Sequence, residues 1–217
     1  MNLLELNQVS FSYPGGRPIM HEIDLEIKEK ELIVIQGESG AGKSTFLKLF
    51  NRFCDPVNGR VLFNNRELYE YGIDDIRSSI IYLPQLPFMI EGTVEENLSF
   101  PFSFHAHKTK RYDPEKASEW LDYFQLDVPP DHDALKLSTG QKQRVALIRA
   151  MLLEPRVLLL DEPGSSLDSG NKKLIDRKIE TLIDSSGISV LMATHSETGF
   201  REGTYRLFRL KNGKLVQ

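Results

Sequence analysis

The 217-residue sequence predicts an α/β fold, a single domain with a mixed sheet, an antiparallel β edge and an inserted helical subdomain. Three observations predict it. Residues 32–36 (LIVIQ) form a short apolar, β-branched run that leads into a glycine-rich loop and then a helically spaced segment, a strand, loop and helix in succession. Residues 157–160 and 188–193 are continuous apolar runs separated by helical segments, as parallel-sheet crossovers require. From residue 86 to residue 137 helix signals dominate. The expected division is therefore an α/β core of residues 1–85 and 138–217, with residues 86–137 as the helical subdomain.

In chain order, residues 3–11 alternate in polarity and end in the turn-rich Ser12-Tyr13-Pro14-Gly15-Gly16, which predicts a strand and a surface loop. A second strand is expected over 23–27. Residues 44–53 carry Phe46, Leu47, Leu49, Phe50 and Phe53 at helical spacing. Residues 60–63 and 80–83 are further strand candidates. In the middle, Thr93 with Glu96 fits a capping box, and Asp113 before Pro114 sets a capping acid ahead of a proline at the first helical position. The helix that follows places Ala117, Trp120, Leu121 and Phe124 on one face, read as local core packing. Residues 205–215 read as a hairpin turning at Asn212-Gly213.

Composition narrows the function classes. With 40% apolar and 27% charged residues the chain reads as an ordinary packed enzyme, neither disordered nor fibrous. A formal charge of −4 argues against nucleic acid as a partner, because phosphate backbones are gripped by basic surfaces. The single cysteine, Cys54, cannot close an intrachain disulfide, which fits a reducing compartment and a small apolar filler. The amino terminus lacks the basic and apolar regions of a secretory signal, and no apolar run approaches the roughly 18 residues that span a bilayer. The expectation is a cytoplasmic protein that would need a separate polypeptide to cross any membrane it serves.

The chemistry is concentrated in three motifs. Residues 37–45, GESGAGKST, satisfy G-x-x-x-x-G-K-[ST] after a predicted strand and at the opening of a predicted helix. Gly37, Glu38, Ser39, Gly40, Ala41, Gly42, Lys43, Ser44 and Thr45 are thus candidates for binding ATP. Glycines let backbone N–H groups curl around phosphate oxygens, the helix amino terminus adds partial positive charge, and Lys43 reaches the β and γ phosphates. Ser44 is a candidate Mg²⁺ ligand. Residues 157–162, VLLLDE, are an apolar strand ending in two acids at the carboxyl edge of the sheet. Asp161 is placed to hold Mg²⁺, and Glu162 to orient and deprotonate an attacking water, a general-base role worth roughly 10²- to 10⁴-fold in rate. Residues 137–144, LSTGQKQR, contain a capping-box pair, Ser138 and Gln141, so a helix beginning there presents unpaired N–H groups able to bind an anion.

That last motif resembles the signature sequence of ABC (ATP-binding cassette) proteins. With the glycine-rich loop, Gln85 after a strand, the paired acids, Ser166-Leu167-Asp168 and His195 after a strand ending at Ala193, the order and spacing resemble this family over nearly the whole chain. The resemblance implies a P-loop NTPase core of ABC type that hydrolyses Mg-ATP. It implies that Tyr13 stacks on adenine, that Gln85 senses Mg²⁺ and the water while linking the helical subdomain to the core, and that His195 contacts the γ phosphate. Ser138 and Gly140, with Gln141 beside them, would meet the nucleotide of a second subunit in an ATP-dependent homodimer, with Asp168 at the seam. It further implies a separate transmembrane permease subunit and a peripheral location on the cytoplasmic face of the cell membrane.

Three positions depart from the family pattern. Thr139 replaces a glycine usual in the signature and puts a β-branched side chain where backbone must approach phosphate, which predicts weakened closure with catalysis retained. Gly164 and Ser166 replace the usual threonine and alanine, changes small enough to leave the backbone path intact. Leu86, Phe88, Met89, Phe100 and Phe102 are candidates for an anchor pocket receiving a helix of the membrane subunit, with ordinary core packing the open alternative for each. EGTVEENLSFPF after Gln85 resembles bacterial ATPases of the iron-export type, making iron export one substrate reading. His105 and His107 read as part of a solvated basic loop, with no metal assigned. The alternative from another class is a soluble ABC ATPase of an assembly system, such as iron-sulfur cluster scaffolding. A nonhydrolysing module is opposed by Glu162 and His195.

Overall fold

The elements in chain order are β1 (Asn2–Ser12), β2 (Pro18–Lys28), β3 (Leu32–Gln36), α1 (Lys43–Leu49), β4 (Asn58–Phe63), β5 (Arg66–Glu67), α2 (Ile73–Ser79), β6 (Ile80–Leu83), α3 (Val94–Ser99), α4 (Pro114–Tyr123), α5 (Thr139–Met151), β7 (Val157–Asp161), α6 (Ser169–Ser186), β8 (Ser189–Thr194), β9 (Arg206–Lys211) and β10 (Lys214–Val216). They are those of a computed structural model that describes residues 2–164 and 169–217. Two sheets result. One is antiparallel, in the order β2-β1-β4-β5; the other is β10-β9-β3-β8-β7-β6, parallel throughout except for the β9–β10 hairpin. The α/β class with a mixed sheet and an antiparallel edge is therefore what the sequence predicts.

The continuous apolar runs become strands buried on both faces, since every residue of β7 and of β8 is buried. The period of two then divides their side chains between two cores. Ile33, Ile35, Val157, Leu159, Leu191 and Ala193 face Phe46 and Phe50 of the α1 segment and the inner side of the antiparallel sheet. Leu32, Val34, Leu158, Leu160, Val190 and Met192 face α5, α6 and the α3–α4 region, where Val94, Leu98, Phe124 and Val145 close the second core.

Several boundaries move. The helix expected over 44–53 stops at Leu49, because the chain turns left-handed at Arg52 (φ 56°) and the N–H groups of Phe53 and Cys54 fold back on the Lys48 carbonyl. β1 and β2 are longer than expected, and their register is broken by bulges that keep the apolar side facing inward. Residues 86–137 are less regular than expected, with α3 and α4 joined by short 3₁₀ turns. Irregular backbone there is satisfied by side chains. Buried Asn97 accepts from Ile90 N–H at 2.9 Å and donates to the carbonyls of Ile90 (3.1 Å) and Thr93 (2.9 Å), sealing the approach to α3. The capping box of Thr93 and Glu96 and the cap of Asp113 form as expected. His107 departs from the expected solvated loop: it is buried, and that burial, with Lys110 nearby, lowers its pKa. At the far end, Asn212 (φ 51°) and Gly213 (φ 73°) supply the two left-handed residues of the predicted tight hairpin. Among the described residues no helix is long and apolar enough to cross a membrane.

Candidate functional site

Strand register assembles the site. Gln36 of β3 pairs with Thr194 of β8, and Ala193 pairs with Asp161 of β7, so Gly37 and His195 leave the sheet level with one another and Glu162 leaves β7 one residue earlier, all at its carboxyl edge. Glu162 adopts a left-handed backbone (φ 48°), pinned by its N–H donating to the Ala193 carbonyl at 2.9 Å. Such a conformation is costly for a residue with a side chain and clusters at functional sites. Its carboxylate is the centre of the arrangement. Oε1 lies 3.4 Å from Lys43 Nζ; Oε2 lies 2.7 Å from His195 Nδ1 and accepts from Gln85 Nε2 at 3.4 Å. Glu162 is 13% exposed and His195 51%, so the acid is screened from bulk water while the imidazole remains reachable.

The phosphate loop is shaped by close approach. Gly42 has φ 95°, and a Cβ there would lie 2.6 Å from Ile19 Cγ2; Gly40 has φ 81° and opens onto free space. Lys43 turns inward, donating to the carbonyls of Gly37 (2.9 Å) and Glu38 (3.0 Å). α1 starts at Lys43 with Gly42 as a cap that has no side chain to bond the first turn, which leaves N–H groups for a ligand. Beside the loop is an open cavity of about 810 Å³, bounded by Gln36 to Ala41, His195, His21 and the β9–β10 hairpin. Tyr13 stands at the end of this segment, its hydroxyl 3.0 Å from Thr45 Oγ1 and its half-exposed ring edge-on to Phe11.

Asp161 is one residue before the strained glutamate. Its Oδ2 accepts from the Tyr82 hydroxyl at 2.7 Å, whereas Oδ1 is buried with no hydrogen-bond partner. Burial, and then the bond to Asp161, push the Tyr82 pKa far above its ordinary value, so the phenol stays a donor. An orphaned, buried carboxylate oxygen near the hydroxyl-bearing loop suits a hard divalent cation and its waters. Tyr82 was not among the residues expected at the site; only the β6–β7 pairing brings it there.

The signature residues form a separate group. Gln141 Oε1 accepts from Ser138 N–H at 2.8 Å and Gln141 N–H donates to Ser138 Oγ at 3.3 Å, a complete capping box at the start of α5, with Gly140 in the same first turn. Their polar groups serve that turn and are not part of the Lys43–Glu162–His195 cluster. Asp168, with Ser166 and Leu167, lies outside the described residues. Of the candidate anchor residues, Leu86 (72%) and Phe88 (63%) are exposed; Met89 (8%) is core, and Phe100 and Phe102 are half-buried, Phe102 against Tyr112. Arg149, near the end of α5, donates to the Phe88 carbonyl at 2.8 Å and holds that exposed segment in place.

Comparison with known proteins gives consistent results. The ABC transporter family model matches residues 20–165. The lactococcin-A transport/processing ATP-binding protein LcnC of Lactococcus lactis is 32% identical over 99% of the chain, which spans only 30% of LcnC. FetA of Escherichia coli strain K12, named as a probable iron export ATP-binding protein, is 33% identical over 90% of the chain and 85% of its own length. Among solved structures, CbiO1 of Clostridium perfringens, part of the ABC transporter complex cbiONQ, superposes with a TM-score of 0.87 at 29% identity, covering all of this chain and 87% of CbiO1.

Proposed function

Because the chain belongs to the ABC transporter family of ATP-binding ATPases, we propose that it hydrolyses Mg-ATP to drive transport through a separate membrane-spanning subunit. One observation carries the catalytic reading: a single strained, screened carboxylate, Glu162, gathers Lys43, His195 and Gln85 within 3.4 Å beside the phosphate loop. In this reading residues 1–85 and 138–217 are the α/β core and 86–137 the helical subdomain.

Residues 37–45 hold the triphosphate through backbone N–H groups, and Lys43 exchanges the carbonyls of Gly37 and Glu38 for β and γ phosphate oxygens. Tyr13 supports the adenine. Ser44, Asp161 and Gln85 offer the oxygens that would hold Mg²⁺, which when bound neutralises charge on the β and γ phosphates. Glu162 accepts a proton from the water as its oxygen attacks the γ phosphorus and the bond to the ADP oxygen breaks. His195 contacts the γ phosphate and, through Nδ1, keeps Glu162 aimed. Hydrolysis requires closure: in a homodimer each nucleotide is completed by Ser138, Gly140 and Gln141 of the other copy, with Asp168 at the seam, so ATP favours the closed state by its differential affinity.

The exposed Leu86 and Phe88 support docking of a membrane subunit, and hence a peripheral place on the cytoplasmic face of the membrane. Iron export is the substrate reading supported by the likeness to FetA. The deciding experiment is copurification of tagged Glu162→Gln protein with Mg-ATP from detergent-solubilised native membranes. Recovery of a multispanning subunit is the expected result; recovery of soluble scaffold proteins alone would instead favour an assembly ATPase.

A further inference from the structure

Glu162 and His195 leave neighbouring strands, but a register shared over strands does not by itself fix two side chains that sit on the loops beyond them. The chain after Glu162 passes through Gly164, and the chain after His195 passes through Ser196 and Glu197. Among the described residues, the Lys172 side chain touches both paths. The stem of Lys172 lies flat over Gly164, where an added Cβ would stand 2.9 Å from its Cγ, 3.2 Å from Cδ and 3.4 Å from Cε. Its ammonium donates to Ser196 Oγ and to the Glu197 carbonyl. We propose that Lys172 is a positioning residue for hydrolysis, clamping the loop that carries His195 against the segment that carries Glu162. The inference rests on the roles proposed above for those two residues.

Three further observations favour the clamp. Ser196 is also held from the core, by Gln36 Nε2 donating to its carbonyl at 3.4 Å and by the Thr194 hydroxyl at 3.2 Å, so Lys172 closes a bracket around one residue. The same face of α6 continues it at four-residue spacing: Asp176 accepts from Gly199 N–H at 2.7 Å, and Glu180 accepts from Arg201 N–H at 2.8 Å and the Thr204 hydroxyl at 2.7 Å. Finally, Lys172 sits in the first turn of α6, where a cation opposes the helix dipole, so the dipole does not explain a lysine there. Gly164 is explained at the same time, since the stem occupies the space a side chain would need.

The test is steady-state ATP hydrolysis by the purified chain. Lys172→Met keeps a stem over Gly164 and removes the ammonium; kcat is expected to fall about tenfold or more with KM for ATP and melting temperature close to wild type, because small misplacements of catalytic groups are costly. Lys172→Arg should restore most of the rate. Gly164→Thr should lower kcat in the wild-type background and add nothing to Lys172→Ala, a non-additivity expected of groups in contact. A Lys172→Met enzyme with unchanged kcat, or one whose loss follows its melting temperature with no rescue by arginine, overturns the proposal. Glu162→Gln and His195→Ala, run alongside, separate this from the underlying reading: if they retain full hydrolysis, the proposed roles of Glu162 and His195 fail first.

Discussion

Gly42 has two separate constraints. Its φ of 95° is strained for any L side chain, and its missing Cβ would overlap Ile19 Cγ2 at 2.6 Å. Ile19 is on β2, so the antiparallel sheet is pressed directly against the phosphate loop. Gly42→Ala is therefore expected to displace the loop and weaken nucleotide binding by an order of magnitude or more, readable by titration with a fluorescent ATP analogue, along with a loss of about 1 to 3 kcal/mol in folding stability. Glu162 carries its own strain without such a steric reason, and its N–H bond to Ala193 holds it. At this scale the motif residues were legible because they are contiguous: nine residues of one loop state their purpose together. Tyr82 was not, since it lies 79 positions from Asp161 and looks like any half-buried strand tyrosine.

Among the elements, α5 links two regions with different duties. Its amino terminus presents the signature residues in a capping box, and its last turn reaches through Arg149 to the exposed segment at Phe88. Burial lowers the pKa of Arg149 but leaves it a cation committed to that carbonyl. Ser138→Ala removes one half of the capping box and should cost about 1 kcal/mol in urea unfolding. Loss of hydrolysis well beyond what that small destabilisation explains would mark Ser138 as a nucleotide contact; an unchanged rate would leave it a cap. The capping signals at Thr93, Asp113 and Ser138 were all readable in the sequence, because a cap is a local pattern of three or four residues. The end of α1 and the burial of Met89 and His107 were not, because they depend on what packs against them.

For the whole molecule, the two cores on either side of β3, β8 and β7 make the sheet a rigid platform, and the groups that would complete a second nucleotide site sit on α5 at a distance from the phosphate loop in chain order and in bonding. That separation is what an ATP-bridged dimer would use. Glu162→Gln is expected to accumulate as a dimer in saturating Mg-ATP and to return to monomer when the nucleotide is removed, measured by light scattering behind size exclusion. A variant that stays monomeric at saturating Mg-ATP would mean that the isolated chain lacks this closure. Thr139 bears on the same equilibrium, and its exchange for glycine offers a direct comparison of dimer affinity.

The sequence by itself determined the α/β class, the strand that feeds the glycine-rich loop, the acids that end β7, the helix caps and the hairpin at Asn212-Gly213, since each is written in adjacent residues through periodicity, turn chemistry or capping. Only the tertiary structure decided that Glu162 meets Lys43, His195 and Gln85 at one carboxylate, that Tyr82 holds Asp161, and that Lys172 spans Gly164 and Ser196. Those contacts join residues from separate strands, helices and loops; parallel pairing brings the strand ends into one region and the packing of helices and loops onto them does the rest, and no spacing along the chain encodes either directly.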